Sequence, residues 1–83
     1  MKLIRKRKEG ENELIFVDKI KHIWQWYSSI YFHMANNDNI EIDVNSKLGE
    51  KFIDDIQNFL ISDKVLFDIN VWLKENPSEE TTK

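Results

Sequence analysis

Two short segments at the start of the chain carry apolar residues on either side of a polar stretch, as expected of two β-strands joined by a turn. The segments 2–8 (KLIRKRK) and 13–17 (ELIFV) predict two strands, and the polar stretch between them contains Gly10, which suits a tight turn. We expect Leu3 to be the inward-facing residue of the first strand. The pattern therefore predicts a hairpin.

Residues 18–35 fit two patterns. A helix would align an apolar stripe at a spacing of about 3.6 residues. Two strands, IKHIWQW and SIYFHMA, would instead be separated at Ser28 and Ser29. The dense β-branched and aromatic content favours strands.

The following segment, NIEIDV, supports the strand interpretation because its apolar residues alternate with acidic ones. A strand here needs a partner, and the simplest partner is residues 30–35 across the turn at 36–39, since Asn and Asp tolerate left-handed backbone conformations. The residues predicted to face the core are Ile30, Phe32, Met34, Ile40, Ile42 and Val44.

Residues 46–61 predict an amphipathic helix. Its apolar positions are Leu48, Phe52, Ile53, Ile56, Phe59 and Leu60, with Lys51, Asp54, Asp55 and Asn58 opposite. Residues 62–75 alternate like a strand, but Ser62 as a cap and the stop at Pro77 favour a helix. We predict one α+β domain over residues 1–76, a small antiparallel β-meander followed by one or two C-terminal helices, and a polar, flexible tail at 77–83.

The composition narrows the class of protein. The chain has 83 residues, no Cys and a formal net charge of −3. Without Cys there is no disulfide or thiolate site, which favours a cytoplasmic location. No run approaches the roughly eighteen apolar residues of a membrane span, and no apolar region follows the basic start as in a signal peptide. We expect a soluble protein that does not bind membranes.

Residues suited to catalysis or metal binding are few. The two histidines, His22 and His33, have no Cys partner and no metal-binding spacing. Ser28 and Ser29 lack the setting of a nucleophile, and the glycines are isolated. We expect no enzymatic activity, no cofactor and no metal site.

Two features indicate binding. The basic run Arg5, Lys6, Arg7 and Lys8 could contact the phosphates of a nucleic acid. The aromatic residues exceed what so thin a core should hold, so some rings should be exposed. Trp and Tyr are enriched at interface hot spots, and the predicted partner-binding residues are Trp24, Trp26, Tyr31 and Trp72.

The order of strand, Asn-rich turn, strand and helix in IYFHMANNDNIEIDV and EKFIDDIQNF resembles the small phage-encoded anti-CRISPR proteins that inhibit type II-A CRISPR nucleases by mimicking DNA. This resemblance covers about a third of the chain. The acidic residues in these segments include Glu41, Asp43, Glu50, Asp54 and Asp55, and no functional residue is carried over from the family.

A second resemblance covers roughly residues 2–56. The run from Leu3 to Arg5, then ELIFV, DKIKHI, SIYFHMANND and IEIDV, is similar to the strand order of small flagellar FlbD-type proteins. The turn at 36–39 lacks the usual Asn-Gly of that family. No functional residue is implied by this resemblance.

The sequence thus predicts a non-catalytic protein-binding module, an inhibitor or adaptor acting on a protein of unknown identity, with an anti-CRISPR-like role as a specific form. The alternative is a nucleic-acid-binding regulator that uses the basic first strand. We expect a monomer or small homo-oligomer.

Overall fold

The computed structural model describes residues 1–77 and contains six strands and two α-helices in that part of the chain. The elements are β1 (Leu3–Lys8), β2 (Glu11–Phe16), β3 (Ile20–Trp26), β4 (Ser29–Met34), β5 (Asn39–Asp43), α1 (Gly49–Ile61), β6 (Leu66–Asp68) and α2 (Ile69–Glu75). The α+β prediction is confirmed, including the meander and the helices after it.

The strands form two three-stranded sheets. The first has the order β2-β1-β6, with β1 antiparallel to β2 and parallel to β6. The second is the antiparallel meander β3-β4-β5. A single 3-10 turn, Val17–Lys19, separates β2 from β3, so the strands within residues 2–44 are divided between the two sheets.

The turns follow from residues that accept a positive φ. Gly10 has φ 81° between β1 and β2, and Asn37 has φ 73° between β4 and β5. In the second turn the backbone N–H of Asn37 donates to the Met34 carbonyl at 2.9 Å. The predicted strand interpretation of residues 18–35 is therefore correct, because the Asn-rich turn allows β4 to pair with β5.

The core is one cluster to which both sheets and both helices contribute. The buried apolar residues are Ile4, Ile15, Ile30, Phe32, Ile42, Val44, Phe52, Ile56, Phe59, Ile69 and Trp72. The prediction that Leu3 faces inward is wrong: Ile4 is fully buried, and alternation along β1 places Leu3 on the other face.

The α-helix begins at Gly49, about one turn later than the predicted start at residue 46. Residues Ser46–Leu48 form a 3-10 turn, and the Asn45 side chain accepts the backbone N–H of Lys47 at 2.9 Å. Segment 62–75 contains both alternatives that its pattern allowed, a short strand and then α2. Asp68 separates them, because its carboxylate caps α2 by accepting the N–H groups of Asn70 and Val71.

The predicted tail at 77–83 lies outside the described residues except for Pro77. In the part of the chain that is described, neither helix has the length and apolar character needed to cross a membrane.

Candidate functional site

The candidate site is the side of the meander turned away from the core, which we call the outer face. Alternation in β4 and β5 buries Ile30, Phe32 and Ile42, so the intervening side chains point the opposite way. The register places nine residues in three rows on this side: His22–His33–Asn39, Trp24–Tyr31–Glu41 and Trp26–Ser29–Asp43.

The middle row carries a pair of stacked rings. Trp24 and Tyr31 are direct cross-strand partners, and their centroids lie 5.1 Å apart with an angle of 20° between the planes. His22, two residues before Trp24 on the same strand, adds a third ring at 5.0 Å. Both Trp24 and Tyr31 are half-buried, so each ring keeps surface available to a partner.

The most exposed aromatic pair lies at the end of this face. Trp26 is 61% exposed and Tyr27 is 75% exposed, and their rings meet edge to face at 5.1 Å. Tyr27 has φ 53°, which is uncommon for a bulky residue. The expectation that some aromatic rings are exposed is confirmed.

Polar groups lie beside the rings. Glu41 is the partner of Tyr31 in β5, and its Oε2 accepts the hydroxyl of Ser29 at 2.7 Å. The Nδ1 atom of His33 lies 2.7 Å from Oδ1 of Asn39. Within the described residues neither Glu41 nor Asp43 forms a salt bridge, so two carboxylates remain available on this face.

Trp72 lies elsewhere and does not belong to the outer face. It is 5% exposed, its ring packs edge to face on Phe52 at 4.9 Å, and its indole N–H donates to Asp55 at 2.7 Å. The thin core holds this ring because Asp55 provides a partner for its indole N–H, so the prediction that Trp72 is an exposed partner-binding residue is wrong. Trp72 therefore stabilises the junction of α1 with α2.

The basic run does not form one patch. Strand β1 is the middle strand of its sheet, and alternation places Arg5 and Arg7 on the face opposite Lys6 and Lys8. Arg7 is paired with Asp68 at 3.0 Å, and Lys6 lies 3.9 Å from Glu13.

Lys6, Arg7 and Lys8 all line a small cavity of about 170 Å³ together with Glu41 and Asp43. No ion pair joins the two sides of this cavity in the described residues. Strand alternation thus divides the basic run, but three of its four side chains border one cavity, and carboxylates lie near them.

A second exposed apolar patch was not anticipated from the sequence. It lies on the outward side of β2-β1-β6, where Leu14, Phe16 and Leu66 are each about half exposed. Arg5 lies in its centre as the register partner of both Leu14 and Asp68. This patch is apolar and cationic, whereas the outer face of the meander is aromatic and acidic.

The sequence also missed how the outer face is assembled. Tyr27, which the sequence did not single out, occupies the two-residue connection between β3 and β4. The position of Glu41 beside Tyr31 could have been predicted, because the register that pairs Phe32 with Ile40 also pairs Tyr31 with Glu41. Five of the carboxylates in the segments that resemble the anti-CRISPR proteins are divided, with Glu41 and Asp43 on this face and Glu50, Asp54 and Asp55 on α1.

No group of three or more potential metal-ligating side chains occurs among residues 1–77. Searches of family models, curated proteins and solved structures found no significant match to the chain. The two resemblances noted from the sequence therefore stay predictions.

Proposed function

We propose that this chain is a non-catalytic protein-binding module, an inhibitor or adaptor, that contacts its partner through the outer face of the meander. The observation that carries the proposal is the group of aromatic side chains on the outer face, of which Trp26 is largely exposed and Trp24 and Tyr31 are half-buried. Trp26 and Tyr27 are more than half exposed, and exposed apolar clusters of this kind are typical of interaction sites. Aromatic rings contribute large contact area at low cost in side-chain entropy.

The backbone of Tyr27 supports the same proposal. A left-handed conformation costs a residue with a Cβ atom roughly 1–2 kcal/mol, and a glycine or asparagine would fit the connection more easily. Because Tyr27 is largely exposed, its ring contributes little to the core that would offset this cost. Backbone outliers of this kind often occur at functional sites.

The proposal is tested by selecting a library of short random peptides on the immobilised protein. We expect peptides to be enriched on the wild type and lost on a Trp26→Ala, Tyr27→Gly double variant. Phe16→Ala is the matched control, since Phe16 is an exposed ring on the other sheet. Enrichment that survives the double variant, or that disappears with Phe16→Ala alone, would place the binding surface elsewhere.

The alternative of nucleic-acid binding is tested by measuring whether the immobilised protein retains random single-stranded DNA or RNA at low salt. Retention that is lost when Arg5, Lys6 and Arg7 are changed to Ala would favour that alternative. We expect no retention, because the basic side chains lie on two faces and two of them are near carboxylates.

A narrower form of the proposal is a cytoplasmic inhibitor of the anti-CRISPR kind, from a phage or other mobile element. It is supported by the resemblance of residues 30–44 and 50–59. The test is cleavage of a DNA target by a type II-A CRISPR nuclease with and without the protein. Inhibition by the wild type that is lost in Glu41→Gln, Asp43→Asn would support this form, whereas unchanged cleavage would leave only the general binding role.

A further inference from the structure

We infer that the outer face binds an arginine-bearing segment of a partner protein, with the guanidinium group against Trp24 and Tyr31 and held by the carboxylate of Glu41. This inference rests on the proposed function and names the chemistry of its partner. Three features carry it: the stacked rings, the charge of the face and the position of Glu41.

The rings provide the surface for a planar cation. Trp24 and Tyr31 form a stacked pair at 5.1 Å, and both are half-buried, so that their positions are fixed by the neighbouring strands while part of each ring stays accessible. Cations are attracted to the negative faces of such rings, and Trp and Tyr are the strongest sites.

The charge of the face selects a cation over an anion. Among its nine positions two are carboxylates, Glu41 and Asp43, and none is Lys or Arg. The two carboxylates form no salt bridge with other described residues. Lys6, Arg7 and Lys8 line a small cavity beside the two carboxylates without an ion pair to them. The aromatic face itself therefore carries negative charge and complements a basic segment.

The position of Glu41 brings the charge to the rings. Glu41 is the direct cross-strand partner of Tyr31, so the two lie one strand spacing apart, about 5 Å. Since Ser29 donates to one carboxylate oxygen at 2.7 Å, the carboxylate is oriented while its other oxygen can accept an additional hydrogen bond. A group lying on Tyr31 is therefore within reach of Glu41.

These features favour arginine over lysine. The guanidinium group is planar, stacks on aromatic rings, and donates hydrogen bonds from the same plane to a carboxylate. A lysine ammonium group is compact and more strongly hydrated, so it gains less from a flat surface. The exposed patch on β2-β1-β6 offers no equivalent site, because its centre is occupied by the cation Arg5.

The experiment titrates the full-length protein with four otherwise identical Gly/Ser-rich peptides that carry Arg, Lys, citrulline or Glu at the same positions. Citrulline keeps the shape of arginine but has no charge. Binding to the wild type is followed by tryptophan fluorescence and by backbone amide shifts. Comparison with the Trp24→Phe variant shows how much of the fluorescence change comes from Trp24. We expect the Arg peptide to bind the wild type at least about tenfold more tightly than the citrulline peptide, with Lys between them and Glu undetected.

Glu41→Gln is the decisive variant, because it keeps the shape of the side chain and can still accept from Ser29. We expect it to lose most of the preference for Arg over citrulline. Glu50→Gln is the matched control, an exposed carboxylate at the start of α1, and it should keep that preference. Far-UV circular dichroism confirms that both variants are folded.

The inference is overturned if Arg and citrulline peptides bind equally, or if Glu41→Gln keeps the preference. In either case the proposed function can still hold, since peptides selected from the random library would then depend on Trp26 and Tyr27 without containing arginine. If no peptide in either experiment depends on the outer face, the proposed function and the inference both fail.

Discussion

The indole nitrogen of Trp72 donates a hydrogen bond to Oδ2 of Asp55 at 2.7 Å, joining two helices across 17 positions of sequence. The same carboxylate oxygen lies 3.1 Å from Nζ of Lys51, one turn earlier in α1. A buried indole N–H without a partner is costly, so this bond allows Trp72 to lie in the core against Phe52.

Removing this acceptor should destabilise the protein. In Asp55→Ala the indole N–H loses its partner, and we expect the free energy of unfolding to fall by about 1–3 kcal/mol. Asp54→Ala, an exposed neighbour on the same helix, should change it by less than about 0.5 kcal/mol. Urea denaturation measures both. Equal effects of the two variants would show that the bond to Trp72 contributes no stability.

Because of the same carboxylate, the free energy of unfolding should depend on pH in the acid range. The hydrogen bond from Trp72 lowers the pKa of Asp55 below its ordinary value of 3.8; burial opposes this change, and the hydrogen bond and charge of Lys51 add to it. Because the pKa is lower in the folded state, the stabilisation is present in full above pH 3.8 and is lost as the pH falls through the folded pKa.

The measurement compares the wild type with Asp55→Asn across a pH series. We expect the difference in free energy of unfolding to be constant near neutral pH and to change only below about pH 4, where the advantage of the carboxylate disappears. A difference that stays constant down to the acid limit would contradict the lowered pKa.

Gly49 allows α1 to begin close to Gln25 of β3. A Cβ atom at this position would collide with the Gln25 side chain, whose amide donates to the carbonyls of Tyr27 and Ser46 at 3.0 and 3.2 Å. Gly49→Ala should therefore lose the gain of about 1 kcal/mol that alanine normally brings in a helix.

The double variant Gln25→Ala, Gly49→Ala provides the control for this steric explanation. With the Gln25 amide removed, the substitution at Gly49 should become more favourable by roughly 0.5–3 kcal/mol, the range for residues in contact. Additive effects of the two substitutions in urea denaturation would show that the contact has no energetic consequence.

Tyr27 should contribute nothing to the stability of the fold. Tyr27→Gly relieves a left-handed conformation that costs roughly 1–2 kcal/mol, against about 0.5–1 kcal/mol for the added backbone freedom of glycine. We expect the free energy of unfolding to stay the same or to rise by up to about 1 kcal/mol. A clear loss of stability by thermal denaturation would show that Tyr27 has a structural role instead of an interaction role.

The fold was predictable where the signals are local. Alternation in NIEIDV and the asparagine turn were sufficient to predict β4 and β5, and the helical spacing of Phe52, Ile56 and Phe59 predicted α1. The role of β1 was not predictable, because its parallel pairing with β6 joins Leu3 to Leu66 and leaves no signal in either segment alone.

The candidate site was predictable in part for the same reason. Trp24, Trp26 and Tyr31 were expected to bind a partner, and alternation with a two-residue connection is enough to bring them to one face. Trp72 could not be separated from them by sequence, because its environment depends on Asp55 in another helix. Nor does any local pattern indicate that Tyr27 has a positive φ.

The most direct test of the central claim is a map of backbone amide chemical shifts during titration with a peptide selected on the wild-type protein. We predict that the largest changes fall on Trp24, Trp26, Tyr31 and Glu41 and their strand neighbours, while the amides of β1, β2 and β6 change little. Changes concentrated instead around Arg5, Leu14 and Phe16 would contradict the claim that the outer face of the meander is the binding surface.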